Sequence, residues 1–360
     1  MIGPRPHIAA IKPYHLPKVE ADIVLAANES PYNLPQSVID EIKDEFDRIS
    51  YNRYPDPFST ELRGLIADHY GLGLENVFVG NGGDEVIQNL FLAYGGPGRK
   101  AVTFDPMFEI YGITGRITET EMVSLLRDPE TLRADSAIAQ AYDVDAALIF
   151  LCSPNNPTGD LVSLEKIEEL LKNTDALVVI DEAYAEFSGQ TALPLMAKYE
   201  NLAILRTFSK AYSLAGLRAG YLLANSEVIE SLLKVKLFFN FSKLSQAIAR
   251  IAFSHRDIFE KKIEAILSER DRLFAELSKI ERVKPYPSEA NYIMFKTEKP
   301  AAEVWQGLLD KRILIRNCSN QVLLEDCLRV TVGSAEENEA FLKALREVVV
   351  VGDVPRISRI

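Results

Sequence analysis

Residues 204–220 have the types and spacing expected of a site for a phosphorylated aldehyde. An apolar run there passes into two hydroxyl side chains, Thr207 and Ser209. Lys210 comes next, and Arg218 follows eight residues later. A lysine amine can form a Schiff base with an aldehyde, and hydroxyls and a planar guanidinium bind phosphate oxygens. Taken alone, the same pattern would also occur if Lys210 were an ordinary solvent-exposed lysine at the end of a strand.

A second apolar run ends in side chains that would complete such a site. Residues 176–180 are continuously apolar and β-branched, which is typical of a buried parallel strand. Asp181 ends this run, and Tyr184 follows three residues later. Open α/β sheets bind ligands at the carboxyl ends of their strands. An aspartate there can hold a proton on a ring nitrogen, although aspartate is also a common helix N-cap.

A third apolar run, residues 147–151, leads into a turn that contains two prolines. Asn156 precedes Pro157, which disfavours a helical backbone at Asn156 and so restricts where its amide can point. Turn chemistry alone would also explain this composition. Five polar residues thus follow apolar runs in one order along the chain: Asn156, Asp181, Tyr184, Lys210 and Arg218. This joint order favours one shared site over three unrelated turns.

With these motifs the sequence resembles the pyridoxal-phosphate-dependent aminotransferases of fold type I, and within them the histidinol-phosphate branch. The resemblance spans nearly the whole chain. It rests on residues 28–31, 52–56, 80–85, 153–159, 181–184, 207–210, 288–292 and 328–333. It implies an α/β fold, with a large domain built on a mostly parallel sheet and a smaller α+β domain towards the C-terminus. It also implies pyridoxal 5'-phosphate as the cofactor.

The resemblance gives roles to individual residues. Lys210, Asp181 and Tyr184 would be catalytic. The cofactor-binding residues would be Gly83, Asp84, Glu85, Phe108, Asn156, Asp181, Tyr184, Thr207, Ser209, Lys210 and Arg218, with Tyr54 reaching the phosphate of the neighbouring subunit. Two of these assignments also have purely structural explanations. Residues 83–85 would look the same in an ordinary capped helix, and Phe108, where the family often has tyrosine, would otherwise be a core residue.

Arg329 lies inside an apolar run, where an unpaired guanidinium would cost several kcal/mol. We therefore expect it to meet an anion, and a structural salt bridge is the competing explanation. By the resemblance the anion is the carboxylate of glutamate or the phosphate of the amino-alcohol substrate. Weaker candidates for substrate contacts, implied in the same way, are Tyr14, Asn28, Asn240, Asn291 and Arg316. Tyr14 and Arg316 could equally be surface residues.

Tyr54 implies a homodimer with shared active sites, because the family places this tyrosine across the subunit interface. The alternative is a tyrosine stacked on Pro55 at a surface turn. The sequence departs from the family at Phe239, where relatives often have proline, so the nearby turn is expected to differ.

Composition limits the class of protein. The 360 residues, 47% of them hydrophobic, are enough for a large core and predict two domains. We place an N-terminal arm at 1–30, a large domain at 31–240 and a small domain at 241–360. The net charge of −12 argues against nucleic acid or an anionic membrane as the main partner. Neither a signal-peptide pattern nor a run long enough to span a membrane occurs, which predicts a cytoplasmic enzyme.

Other classes of site are disfavoured. The three cysteines and four histidines lack metal-ligand spacing. The glycine-rich segments lack the dinucleotide fingerprint and the P-loop lysine.

Periodicity predicts strands near 77–79, 101–104, 148–151, 177–180, 203–205 and 220–223, alternating with helices. Such alternation indicates a mostly parallel sheet covered by helices. A long amphipathic stretch, 242–280, then leads to strands at 292–295 and 328–332 and helices at 301–310 and 335–348.

The implied reaction exchanges an amino group between histidinol phosphate and 2-oxoglutarate, with imidazole-acetol phosphate and glutamate as the other pair. Three alternatives stay open. A sibling enzyme could use aromatic amino acids, and a related lyase could decarboxylate a phosphorylated amino acid. A non-catalytic regulator could retain the fold, but the intact Lys210, Asp181 and Arg218 disfavour it.

Overall fold

The computed structural model describes residues 2–11 and 19–350. The strands in these residues are β1 (Ile23–Leu25), β2 (Val77–Gly80), β3 (Lys100–Asp105), β4 (Glu121–Leu126), β5 (Leu148–Cys152), β6 (Leu177–Asp181), β7 (Leu202–Thr207), β8 (Gly220–Ala224), β9 (Val283–Pro285), β10 (Tyr292–Thr297), β11 (Ile313–Asn317) and β12 (Cys327–Thr331).

The α-helices in the same residues are α1 (Pro6–Ala9), α2 (Gln36–Phe46), α3 (Thr60–Tyr70), α4 (Gly83–Tyr94), α5 (Ile110–Thr118), α6 (Asp135–Ile138), α7 (Leu164–Lys172), α8 (Ala185–Ser188), α9 (Ser226–Val235), α10 (Lys243–Ser254), α11 (Asp257–Leu277), α12 (Ala301–Asp310) and α13 (Ala335–Val350). None of these helices is both long and apolar enough to cross a membrane.

The larger sheet has the strand order β2-β8-β7-β6-β5-β3-β4 within the described residues. β8 runs antiparallel to both of its neighbours, and the remaining pairs are parallel. Every residue of β5, β6 and β7 is buried, because helices cover both faces of a parallel sheet and its strands must be apolar throughout. The predicted α/β fold with a mostly parallel sheet is confirmed.

Successive residues of one strand pack on opposite faces of this sheet. On β6, Val178 and Ile180 belong to the apolar cluster on one face. Leu177 and Val179 belong to the cluster on the other face. The period of two in side-chain direction thus divides one continuous apolar run between two cores.

Register brings the ends of the central strands together. Asp181 is paired with Cys152 on β5 and with Leu205 on β7. Residues that follow β5, β6 and β7 therefore leave the sheet at the same edge, where open α/β sheets bind their ligands.

The smaller sheet has the order β1-β11-β12-β10-β9 within the described residues. Its edge strand β1 comes from the N-terminal segment and lies parallel to β11, with Ile23 opposite Ile313. The residues after β1, from Ala26 to Asn28, consequently lie between the two sheets, beside the strand ends described above.

The long amphipathic stretch near the C-terminal part is two helices, α10 and α11. Ser242 caps α10, its hydroxyl accepting from the Ser245 amide at 3.0 Å. The chain turns at His255 and Arg256, and α11 then buries an apolar stripe of Phe259, Ile266 and Leu273.

Candidate active site

A cavity of about 510 Å³ lies at the carboxyl ends of β5, β6 and β7. Most of the residues predicted for the site line it. They are Asn28, Gly83, Asp84, Phe108, Asn156, Asp181, Tyr184, Thr207, Ser209, Lys210, Arg218, Arg316 and Arg329. Residues from both sheets thus converge on one cavity, although Asn28 and Arg329 are 301 positions apart in the chain.

Lys210 points from the end of β7 towards the N-terminal segment. Its Nζ donates a hydrogen bond to the Ala27 carbonyl oxygen at 2.7 Å. Burial lowers the pKa of Lys210 to about 8, and the positive charge of Arg329 contributes in the same direction. A lysine with such a pKa supplies far more neutral amine near pH 7 than a solvated lysine does, as a nucleophile and base requires.

Asp181 is buried at the end of β6. The Tyr111 hydroxyl donates to Asp181 Oδ2 at 2.5 Å, and the Ala183 amide donates to Oδ1 at 3.0 Å. Burial raises the pKa of Asp181 to about 6, and these two hydrogen bonds act in the opposite direction. The carboxyl group is therefore mostly ionised at neutral pH and can pair with a protonated nitrogen.

Tyr111 belongs to this site, and sequence reasoning missed it. Tyr111 lies in the first turn of α5, three residues after Phe108, which precedes the helix, so no helical periodicity in the sequence links the two side chains. Its ring packs edge-on against Phe108, with the ring centroids 5.8 Å apart.

Tyr184 receives a hydrogen bond from the N-terminal segment. Asn28 Nδ2 donates to the Tyr184 hydroxyl at 2.9 Å. Asn28 has a left-handed backbone, with φ of 55°, and its carbonyl accepts from Asn291 Nδ2 at 3.1 Å. Burial raises the pKa of Tyr184, which keeps the phenol protonated and able to donate.

Arg329 enters the cavity from β12. Its Nη1 donates to Asn156 Oδ1, and its Nη2 donates to the Ala26 carbonyl at 2.9 Å. Its buried Nε has no hydrogen-bond partner, and none of the described residues forms a salt bridge with it. The guanidinium is therefore available for an anionic ligand. Because Asn156 accepts from Arg329 through its oxygen, its Nδ2 donors are left for other partners.

The start of α4 and Arg218 together form a compact anion site. Arg218 Nη2 donates to Asp84 Oδ2 at 2.8 Å, and Nη1 lies 3.5 Å from Ser209 Oγ. A Cβ on Gly82, whose φ is +87°, would lie 2.8 Å from Arg218 Nη2. The absence of a side chain there leaves room for an anion against the free N–H groups and the positive end of the helix dipole.

Arg316 reaches the same cavity from β11. Its Nη2 lies 3.7 Å from Glu109 Oε2, and both side chains are about one third exposed. Phe108, immediately before Glu109, lines the cavity as predicted.

Among the described residues, four of those predicted for the site do not line the cavity: Glu85, Tyr54, Asn240 and Asn291. Glu85 turns away, and its Oε2 accepts from the Asn81 amide and from Asn240 Nδ2, the latter at 2.9 Å. Tyr54 is 77% exposed and stacks on Phe239, with the ring centroids 4.4 Å apart. Tyr14 falls outside the described residues.

The residues present fit pyridoxal 5'-phosphate. The glycine-lined anion site matches a phosphate, the ionised Asp181 matches a protonated ring nitrogen, and Lys210 matches an aldehyde. The unpartnered Arg329 Nε leaves one further cation in the cavity for a substrate.

Comparison with known proteins agrees with this geometry. Residues 20–345 match the sequence model of aminotransferase class I and II. The chain belongs to this family. It is 41% identical to histidinol-phosphate aminotransferase 1 of Carboxydothermus hydrogenoformans, with 95% of this chain and 97% of the relative covered. It is 39% identical to the histidinol-phosphate aminotransferase of Thermococcus kodakarensis, with 95% and 97% covered.

A solved structure gives the same result. The histidinol-phosphate aminotransferase of Sinorhizobium meliloti, in complex with pyridoxal-5'-phosphate, matches with a TM-score of 0.85. The identity is 25%, and 96% of each chain is covered. The protein described here is therefore a pyridoxal-phosphate-dependent aminotransferase of fold type I, and the predicted family, cofactor and enzyme class are confirmed.

Proposed function

We propose that this aminotransferase exchanges an amino group between histidinol phosphate and 2-oxoglutarate, as a step of histidine biosynthesis. The observation that carries the proposal is the pair of arginines, Arg316 and Arg329, that share the cavity with Lys210. They are separate from Arg218 at the anion site, so the cavity can bind a second phosphate or carboxylate in addition to that of the cofactor. The names of the relatives supply the identity of the phosphorylated amine.

Lys210 is the base in this proposal. When bound, pyridoxal 5'-phosphate supplies an aldehyde for the substrate amine and a ring that withdraws electrons from the adjacent carbon. Lys210 Nζ removes the proton from the amine-bearing carbon of the substrate. The pKa of about 8 means that the fraction of neutral amine grows as the pH rises through that value.

Asp181, Asn156 and Tyr184 orient the ring. With the cofactor bound, the ionised Asp181 would hold the proton of the ring nitrogen, and Tyr184 and Asn156 Nδ2 would donate to the ring oxygen. Thr207, Ser209 and Arg218 bind the phosphate together with the backbone amides at the start of α4, from Gly83 to Glu85. For Glu85 this role uses only the backbone N–H, since its side chain faces Asn81 and Asn240.

The substrates bind on the side of the smaller sheet. Arg329 takes a carboxylate of glutamate or the phosphate of histidinol phosphate, and Arg316 supplies a second cation. Asn28 and Tyr14, both from the N-terminal segment, complete the contacts. Asn291 and Thr331 hold the backbone of Asn28. Its side chain accepts from Thr331 Oγ1 and donates to the Tyr184 hydroxyl, which fixes its orientation at the cavity.

We further propose a homodimer in the cytoplasm, with Tyr54 contributed to the neighbouring active site. The support is a patch of exposed aromatic and aliphatic side chains around Tyr54, here called the apolar patch: Tyr51, Tyr54, Phe58, Leu237, Phe238 and Phe239. Large apolar groups so close together are characteristic of a protein interface. A second copy of the chain would cover them.

An absorbance experiment tests the proposed reaction. Purified protein with bound cofactor is mixed with histidinol phosphate or, separately, with phenylalanine. We expect the visible cofactor band to be lost with histidinol phosphate only, and to return on addition of 2-oxoglutarate. Loss with phenylalanine alone would favour an aromatic aminotransferase, and release of carbon dioxide from a phosphorylated amino acid would favour a lyase.

Lys210→Ala should reduce turnover at least about 1,000-fold, because both the nucleophile and the base are lost. Lys198→Ala is the matched control, since Lys198 is a largely exposed lysine far from the cavity whose partner is Glu168. Equal turnover of the two variants would contradict the assignment of Lys210.

A further inference from the structure

Tyr111 places a phenol hydroxyl on Asp181 inside the protein. The Tyr111 side chain is only 1% exposed, and its ring stacks on Phe150 with the centroids 4.8 Å apart. Phe108 also packs against the Tyr111 ring, edge-on. The ring is thus fixed by apolar contacts, and its hydroxyl is directed at Asp181 Oδ2, 2.5 Å away.

Asp181 has no cationic partner among the described residues. The ionisable groups that interact with it include Tyr111, Asp84, Glu182, Tyr184 and the Cys152 thiol. The two carboxylates disfavour a charge on Asp181, as does burial. Its ionised form therefore depends on two donors, the Tyr111 hydroxyl and the Ala183 amide.

These two donors do not have the same effect. The Ala183 amide is a local contact within the turn after β6 and exists wherever that turn forms. Tyr111 comes from α5, 70 positions away in the chain, so its hydroxyl ties the carboxylate to a second element. A short O–H···O⁻ bond from a fixed ring sets the rotation of the carboxyl group as well as its charge.

We propose that Tyr111 is a positioning residue, which keeps Asp181 ionised and turned so that its free lone pairs face the cofactor's ring nitrogen. The inference rests on the role proposed above for Asp181. It adds that this role is shared with a residue that does not itself touch the cofactor. Tyr111→Phe distinguishes this positioning role from a packing role, because the phenylalanine ring retains the contacts with Phe150 and Phe108 and lacks only the hydroxyl.

The test is the pH dependence of cofactor binding to the cofactor-free protein. Pyridoxal 5'-phosphate is titrated into the wild type and Tyr111→Phe between pH 5 and pH 8, and its dissociation constant is read from absorbance. Protonation of Asp181 weakens binding on the acid side, with a midpoint near pH 6 in the wild type. In Tyr111→Phe this midpoint should rise by about one to two pH units, the equivalent of one hydrogen bond to a charged group.

Two controls isolate the effect. Tyr70→Phe removes another inward-facing phenol hydroxyl, bonded to Tyr221 at 2.8 Å, and should leave the midpoint unchanged. Asp181→Asn should abolish the part of the acid-side loss of cofactor binding that is due to protonation of Asp181. The phosphate of the cofactor titrates in the same range, and the comparison among variants cancels that shared contribution.

The outcomes are distinct. An unchanged midpoint in Tyr111→Phe, with Asp181→Asn altered, would overturn the role of Tyr111 and leave that of Asp181 intact. An unaltered profile in Asp181→Asn would overturn both. If Tyr111→Phe fails to fold by circular dichroism, 3-fluorotyrosine at position 111 replaces it. Its more acidic hydroxyl should lower the midpoint, and no change would contradict the proposal.

Discussion

At the scale of single residues, the cavity is defined by groups whose surroundings change their chemistry. Lys210 is half-buried, near the positive charge of Arg329, and its pKa falls from 10.5 to about 8. A lysine in this position makes the cofactor-free protein less stable, because its charged form is favoured more strongly in the unfolded chain than in the folded one.

We expect Lys210→Met to raise the melting temperature of the cofactor-free protein at pH 7. The gain should be about 1–2 kcal/mol, allowing for the solvent that still reaches the side chain. The unfolded state binds more protons than the folded state between pH 8 and pH 10.5, so the stability of the wild type rises there with pH. The advantage of Lys210→Met should shrink over the same range.

Thermal unfolding at several pH values measures this, with Lys198→Met as the exposed control. A loss of stability in Lys210→Met at pH 7 would show that packing or the bond to the Ala27 carbonyl outweighs the cost of the buried charge.

Arg316 gives a second prediction at this scale. Glu109 is its nearest carboxylate, at 3.7 Å. Glu109→Gln removes this competing charge, so the KM for histidinol phosphate should fall about two- to fivefold with kcat unchanged, in keeping with a partly exposed ion pair. Steady-state kinetics measures KM and kcat for this variant. Glu121→Gln is the control, because Glu121 pairs with Lys100 on the protein surface. A higher KM would mean that Glu109 orients Arg316 for the substrate.

The positions of some site residues could be predicted from the sequence, and those of others could not. Lys210, Asp181 and Asn156 follow apolar strands, and a sheet edge brings such residues together, so their convergence could be predicted. The orientation of Glu85 away from the cavity could not, because it depends on Asn240, a partner 155 positions away. Tyr111 was missed for the same reason, since its bond to Asp181 requires the packing of α5 on the sheet.

At the scale of elements, two contacts hold the strand ends in place. One is the close approach of β8 to the start of α4. A Cβ on Gly220 would lie 2.6 Å from the Gly83 amide nitrogen and 2.7 Å from the Gly82 carbonyl carbon. Both neighbours are backbone atoms, so a side chain can be accommodated only by moving the helix away from the strand.

Gly220→Ala should therefore weaken binding of pyridoxal 5'-phosphate by about tenfold or more, since a shift of the helix end misplaces its N–H donors. Gly64→Ala, a helical position with nothing within 4 Å of the added Cβ, should bind the cofactor normally. Fluorescence titration compares the two. Wild-type affinity in Gly220→Ala would show that the anion site does not depend on this approach.

The other contact is the buried ion pair between β7 and the turn after β6. Arg206 lies 2.6 Å from Glu182 and 3.0 Å from Glu186, and all three side chains are largely buried. Glu182 also accepts from the Ala192 amide at 2.6 Å. The pair therefore fixes the residue next to Asp181 from the face of the sheet opposite the cavity.

Glu182→Gln should lower the free energy of unfolding by about 3–5 kcal/mol, because Arg206 loses half of its buried charge compensation. Chemical denaturation measures the change. Glu230→Gln is the control, because its pair with Lys234 is about two thirds exposed and, being screened by solvent, should contribute little to stability. Similar losses in the two variants would mean that burial adds little to this pair.

The predicted elements were found where their patterns were strong. The continuous apolar runs predicted β5 and β6 to within one residue, and β7 to within two residues at its C-terminal end. β4 was missed because residues 121–126 lie at a sheet edge, are only partly buried and form no such run. β1 was missed because three residues are too few for a period to appear, and its pairing with β11 bridges almost the whole chain.

At the scale of the whole molecule, the apolar patch stands out among the surfaces that the described residues leave uncovered. Phe238 is 85% exposed and Leu237 75% exposed. Phe239 stacks on Tyr54 within the same patch. Formation of the proposed dimer would therefore bury the patch and position Tyr54 at the same time.

Phe238→Asp should convert the proposed dimer to monomers, because a charge would then have to be buried at the interface. Sedimentation velocity measures the mass, and the affinity for pyridoxal 5'-phosphate should fall with it as Tyr54 of the neighbour is lost. Val322→Asp alters an exposed apolar residue outside the patch and should change neither quantity. A monomeric wild type would refute the shared site.

The strand β1 also limits how the chain can be divided. Ala26 and Ala27, directly after β1, provide the carbonyls that accept from Arg329 and Lys210. A fragment covering residues 31–240 would keep the lysine and the whole anion site, yet it would lack these acceptors, Asn28 and Arg329. Such a fragment should not serve as an autonomous cofactor-binding module. In protein engineering, truncation, splitting or circular permutation of this enzyme has to keep residues 23–28 joined to the smaller sheet.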